Sequence, residues 1–352
     1  MRFEKATVTS PATIANFGPG FDSFGLCLDS PVDRISVRRA AKGRVALRVT
    51  GRYEVPSVPE ENTASYAAMK LVELCDNGRQ GFTMTVRKGM KPGSGIGSSA
   101  ASSVGGALAM AALLGVKDKG VILEAAAMGE ELISGVRHYD NVAAALHGGF
   151  TAVVDAEAGK IITIKPPELQ IVVLMPDISV KTRDARAVLP KKVAIEDAVR
   201  NLSFASGMVH AMMRRDVRAI GSYLDDRLSV PYRKKLVPGF DAVRESGLEA
   251  GALGVSLAGS GPAIFALAER DAGRIKLAMT RAMRSATGLE SKSFVTTPGG
   301  GARVESTSQT LGGVTTDSPR SEGYPLAWNP GEQCHIPYVL LPREEPYHPL
   351  YP

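Results

Sequence analysis

The stretch Lys91-Pro92-Gly93-Ser94-Gly95-Ile96-Gly97-Ser98-Ser99-Ala100 constrains this chain more than any other. Three alternating glycines suit a tight turn rather than a strand or helix interior. The apolar run Phe82 to Val86 before them reads as a strand, and Ser98 to Leu114 after them reads as an unbroken, alanine-rich helix. A strand, a glycine turn and a helix start form a cradle for an anion. Backbone can approach closely where no Cβ intervenes, the first-turn N–H groups have no partner within the helix, and the helix dipole is positive there. A Walker loop needs Lys and then Ser or Thr after its last glycine. A dinucleotide fingerprint needs a third glycine where Ser98 stands and an acidic residue about 20 positions on. Neither is present, and on the loop alone a glycine turn capped by Ser98 before a core helix is an equal alternative.

Composition narrows the classes. At 352 residues, 44% hydrophobic and 22% charged, the chain suits a globular protein of two domains. No apolar signal core follows Met1 to Lys5, and the most apolar stretch, Ala100 to Val116, is short of the ~20 residues of a membrane span. A cytoplasmic protein without a membrane partner is expected. Cys27, Cys75 and Cys334 show no paired spacing, and five histidines are scattered, which excludes a disulfide frame and a His/Cys metal cluster. A net charge of +6 without a basic block suits an anionic substrate or nucleotide and gives no reason to expect nucleic acid.

Three further segments carry pattern. Pro11 to Asp22 ends in Asn16-Phe17-Gly18-Pro19-Gly20-Phe21-Asp22, a tight loop in which Asn16 and Asp22 could simply bond nearby backbone. His138-Tyr139-Asp140-Asn141 opens a helix that runs to Gly148-Gly149, where Asp140 or Asn141 could be a cap. Ala258-Gly259-Ser260-Gly261-Pro262 turns between two apolar strands. With the glycine loop, these segments resemble the motifs of the GHMP kinase superfamily in order, over residues 1–304, in the form of its homoserine kinase branch.

The resemblance implies an α+β, two-domain GHMP kinase fold. A ribosomal-S5-like domain with the phosphate loop would occupy residues 1–165, and a ferredoxin-like domain residues 166–304. It implies ATP and Mg²⁺ as cofactors and L-homoserine as acceptor, and its members are often homodimers. Shikimate- or mevalonate-type kinases and a non-catalytic sensor are the alternatives. By the same resemblance Pro92 to Ala100 would hold ATP, with Gly259 and Ser260 approaching the loop. Ser98, or failing it Ser99, would bind Mg²⁺ with Glu130, which stands eight residues before His138. Asn16, Asp22, His138, Asn141, Thr182, Arg186 and Arg233 would form the acceptor site, with Arg suited to a carboxylate by its planar fork. Where mevalonate kinase and galactokinase have an Asp that can serve as base, Asn141 is an amide and cannot take a proton at neutral pH. Catalysis then rests on positioning and on the electrostatic field.

Other expectations are local. Asn62 or Thr63 starts a helix over Ala64 to Leu74 as a plain cap, and the resemblance implies that both could be nucleotide contacts; Lys88 could reach a phosphate or be a solvated loop lysine. Asp33 to Arg39 and Arg44 to Val49 read as a hairpin about Lys42-Gly43, and Phe150 to Val154 and Ile161 to Ile164 as another. Residues 305–352 hold eight of the 22 prolines, the one Trp (Trp328), and six acidic against two basic side chains, a composition expected of disorder.

Overall fold

The computed structural model describes residues 3–76, 78–156, 159–311 and 314–319. In chain order the first domain contributes β1 (Lys5–Ala15), β2 (Phe24–Ala40), β3 (Val45–Gly51), α1 (Thr63–Asp76), β4 (Gly81–Lys88), α2 (Ser98–Leu114), α3 (Lys119–Ser134), α4 (Asp140–His147), β5 (Phe150–Asp155) and β6 (Lys160–Ile164). The second holds β7 (Gln170–Pro176), α5 (Thr182–Ala187), α6 (Ile195–Arg214), α7 (Val217–Ser222), α8 (Val230–Arg233), α9 (Phe240–Glu249), β8 (Gly254–Leu257), β9 (Ile264–Ala268), α10 (Ala272–Thr287) and β10 (Ser291–Thr296). The chain then returns to the first sheet as β11 (Arg303–Leu311) and β12 (Val314–Pro319).

The large sheet runs β12-β11-β1-β2-β4-β3, with the β5–β6 hairpin paired to the start of β2. The expected hairpin of β2 with β3 is not formed. The chain does turn at Lys42-Gly43, where the Arg44 amide donates to Ala41 O at 3.0 Å. It is β4, however, that lies antiparallel to β2, with β3 parallel to β4 outside it. Gly81 permits this: a Cβ there would overlap the Ala41 carbonyl oxygen, so only glycine lets the turn cross the end of β4. The second sheet is antiparallel in the order β10-β7-β9-β8, the β-α-β-β-α-β arrangement of a ferredoxin-like domain.

The strand β11 pairs with β1 from Lys5↔Ser308 to Thr9↔Arg303, burying Thr307 and Ser308. Disorder beginning at Glu305 is therefore overturned: the polar alternation there satisfies an edge of the sheet. The expectation for residues 320–352, Trp328 included, lies outside the described residues.

Helices α1 to α4 supply Ala64, Leu71, Val104, Leu108, Ile122 and Val142 to a core with Val8, Ile35, Val37, Phe82 and Met84 of the sheet. A second core joins the domains, where Phe17 stacks on Phe265 at 5.4 Å and meets Phe150 edge-on at 5.9 Å. Among the described residues no helix is long and apolar enough to cross a membrane. The crossing of α1 and α2 needs Gly106, whose Cβ would overlap Ala64 O. Gly106→Ala is expected to destabilise the fold by about 1–3 kcal/mol, read as a lower midpoint in thermal or urea unfolding.

Candidate active site

The phosphate loop is built from left-handed glycines: φ is 69° at Gly93, 87° at Gly95 and 66° at Gly97. Gly97 is the N-cap of α2 and no side chain caps that helix, so its first-turn N–H groups are left for a ligand. Gly95 packs backbone against backbone on the turn after β8, since a Cβ there would come within 2.7 Å of Gly261 O. Ser94 donates to Lys91 O at 2.7 Å, while Ile96 and Ala100 are buried in the cores. These three shape the loop, and Pro92, Gly93, Gly95, Gly97, Ser98 and Ser99 line a cavity of about 830 Å³ between the domains.

Lys88 does not offer its charge to a phosphate. Its ammonium is buried beneath the loop and shared among the Asp33 carboxylate, Ser98 O at 2.9 Å and Ser102 Oγ at 2.9 Å. Asp33 also accepts from Ser102 Oγ at 2.8 Å and the Gly89 amide at 2.9 Å. Burial pushes the Lys88 ammonium below its usual range, against the pull of Asp33.

The hydroxyl that meets Glu130 is that of Ser99, at 3.2 Å, rather than Ser98. Successive helical residues are turned by ~100°. Ser98 shares its face with Ser102, over Lys88, and its own hydroxyl donates to Met90 O at 3.5 Å. Ser99 thus faces α3. Glu130 is buried with Oε1 unpartnered among the described residues, and burial pushes its carboxyl up to about 7, with Ser99 opposing.

Elsewhere in the cavity Asn16, itself left-handed at φ 66°, accepts the Asp22 amide on Oδ1 at 3.2 Å. Asp22 and Arg186 pair across the domains at 2.6 Å. Arg233 is buried, donating to Ala185 O at 3.2 Å and Gly259 O at 3.0 Å. The Phe21 ring lies 5.7 Å from the Arg186 guanidinium and 5.1 Å from that of Arg233, holding two like charges near each other. Arg186 Nε is buried without a partner among the described residues. Burial lowers the His138 pKa, Asp22 raising it and the two arginines lowering it further. Asp140, at the start of α4, is pushed up to about 7 by burial and by Asp22. Asn141 accepts from Thr13 Oγ1 at 2.7 Å, so its amide nitrogen is the group left to donate to an oxygen in the site.

Asn62 does what a cap does: its Oδ1 accepts the Ala64 amide at 3.0 Å and its Nδ2 donates to Pro56 O at 2.8 Å. Even so, it lines the cavity with Thr63, Val55, Pro56 and Ile133. Thr182, Gly259 and Ser260 line it too. Thr13, Phe21 and Asp140 were missed as site residues in the sequence. So was Asn201 of α6, which donates to Pro19 O of the Asn16–Asp22 loop at 2.8 Å.

Residues 62–149 match the family model for the GHMP kinases N terminal domain, and 208–285 that for GHMP kinases C terminal. A homoserine kinase of Thermococcus gammatolerans is 44% identical over 291 residues, covering 83% of this chain and 97% of that one. The chain belongs to the GHMP kinase family. A Pyrococcus furiosus homoserine kinase is 43% identical over 296 residues, 84% of this chain and 99% of that one. The crystal structure of a homoserine kinase from Cytophaga hutchinsonii superposes with a TM-score of 0.77 at 36% identity, covering 86% of this chain and 97% of that chain. Mevalonate kinase from L. major, at 17% identity and a TM-score of 0.62, shares the fold.

GHMP kinases use ATP, and a magnesium ion fits the residues present. Glu130 offers a buried, unsatisfied oxygen, Ser99 a hydroxyl beside it, and a cation would relieve the burial of the carboxylate. No three His, Cys, Asp or Glu side chains gather as a metal cluster among the described residues.

Two predictions follow from this geometry. A Cβ at Gly97 would overlap Thr13 Oγ1 and sit 3.0 Å from Asn141 Oδ1. Gly97→Ala is expected to lower kcat about a hundredfold, checked by steady-state kinetics beside circular dichroism. Glu130 and Asp140 both have folded pKa values near 7, above those of the unfolded chain. Stability is then fullest below the unfolded values and falls as pH rises through about 7. The ligand-free melting temperature should drop between about pH 5 and 7 and level off above that, with a shallower drop in Glu130→Gln.

Proposed function

We propose that this GHMP kinase transfers the γ-phosphoryl group of ATP to the hydroxyl of L-homoserine, giving ADP and O-phospho-L-homoserine, a step toward threonine. The homoserine kinase relatives support the reaction. The observation that carries the acceptor is the unpartnered, buried Arg186 Nε beside Arg233, in the cavity that holds the α2 N-terminus. A carboxylate completes that pair bidentately, and Asp22 takes the ammonium of the same amino acid.

The chain's groups then act by position and field. The α2 amides and the glycine loop hold the phosphates, and Ser99 with Glu130 holds Mg²⁺, which when bound neutralises phosphate charge. Thr13 fixes the Asn141 amide, which donates to an oxygen of the acceptor or of the transferring group. Asn16 and His138 shape the acceptor loop around it. The acceptor oxygen bonds phosphorus as the bond to ADP breaks, and the hydroxyl proton leaves late, to water or to the transferred phosphoryl oxygens. Thr182, at the start of α5, closes the second-domain side of the cavity.

The test is ADP release with MgATP against L-homoserine, L-threonine, L-serine, shikimate and mevalonate. Turnover is expected on homoserine and not on shikimate or mevalonate; the reverse would overturn the acceptor while leaving the phosphate loop intact. Arg186→Ala should raise KM for homoserine at least tenfold, about 1.4 kcal/mol or more, and leave KM for ATP unchanged. Ser99→Ala should raise the Mg²⁺ needed for half-maximal rate more than Ser98→Ala does.

A further inference from the structure

The phosphate end of the cavity is short of positive charge. A triphosphate brings several negative charges, and phosphoryl transfer is driven chiefly by cations and dipoles aimed at the transferring group. The glycine loop offers amides, and no lysine follows its last glycine, where a Walker loop has one. Lys88 is already neutralised by Asp33 beneath the loop. Arg186 is paired with Asp22, and Arg233 donates to two carbonyl oxygens.

The second domain supplies the missing charge. After β7 the segment Asp177 to Thr182 meets the glycine loop: Asp177 accepts from Lys91 Nζ at 2.6 Å, and a Cβ at Gly93 would stand 2.9 Å from Ser179 Oγ. Two residues on, Lys181 lines the cavity as the extended N-cap of α5, and its side chain makes no capping bond. It is exposed and has no ion-pair partner among the described residues. Thr182 and Arg186 follow four residues apart on one face of α5, and Arg186 belongs to the proposed acceptor end. Lys181 thus falls in the cavity wall between Ser179, which touches the phosphate loop, and the guanidinium that would take the acceptor's carboxylate. The transferring group has to pass there. Arg183 lines the same wall, but its side chain is 84% exposed and its Nε lies 3.9 Å from the carboxylate of its neighbour Asp184.

We propose that Lys181 binds the γ-phosphoryl group of ATP from the second domain, opposite the amides of the glycine loop. The inference rests on ATP as the phosphoryl donor in this cavity and not on which alcohol accepts.

Isothermal titration of the full-length protein, with Mg²⁺ and without any acceptor, tests it by comparing ADP with the non-hydrolysable β,γ-imido analogue of ATP. Lys181→Met is expected to weaken binding of the analogue at least tenfold and of ADP less than twofold, with an unchanged circular dichroism spectrum. Lys181→Arg keeps the charge and should recover most of the loss, while Arg183→Met should bind both nucleotides as the wild type does. In turnover with whichever alcohol the enzyme accepts, Lys181→Met should lower kcat about a hundredfold. Unchanged affinity of Lys181→Met for the analogue, equal loss of both nucleotides, or the same selective loss in Arg183→Met would each overturn the proposal. Failure of homoserine as acceptor would leave the titration readable, so the two failures are told apart.

Discussion

A buried ion pair holds the phosphate-binding machinery in place. Lys88 at the end of β4 and Asp33 in β2 are closed off from water, and their remaining hydrogen-bonding capacity is taken up by Ser98 O, Ser102 Oγ and the Gly89 amide. Such a pair adds little net stability, because desolvation offsets its attraction, but leaving either partner alone is severely unfavourable. Its effect is one of geometry. The first turn of α2 is bonded to the sheet from below, which leaves its upper N–H groups aimed at the glycine loop without any capping side chain. Glu130 feels the same charge, since Lys88 lowers its pKa against the rise caused by burial.

Around that fixed helix the two ends of the cavity are made differently. The phosphate end is backbone, cleared of Cβ atoms so that loops from both domains can touch. The opposite end, the proposed acceptor site, is side chain: two guanidiniums on one aromatic ring, a carboxylate reaching across the domains, and an amide oriented by a threonine. In the proposed reaction the backbone end would receive the triphosphate, and the side chains would select the alcohol.

Much of this was legible in the sequence for reasons that can be named. The helix Ser98–Leu114 begins and ends where the sequence places it, because Gly115 stops it in left-handed conformation. The glycine loop announced its turn through residues that have no other use. Four things were not legible. The partner of β2 is β4, admitted by Gly81, which lies far beyond the Lys42-Gly43 turn. Whether Ser98 or Ser99 meets Glu130 depends on helix phase, and the two serines are chemically identical. Lys88 looked like a loop lysine because its partner Asp33 is 55 residues away, and Thr13 finds Asn141 across 128 residues with no local sign of it.

The return of the chain as β11 makes the second domain an insertion within the first. On the ribosome the first sheet therefore stays open along β1 until some 300 residues have emerged, and the second domain can fold while its host is still incomplete. The exposed flank of β1 is an aggregation hazard for that interval, and any nascent chain released before Arg303 would keep it permanently.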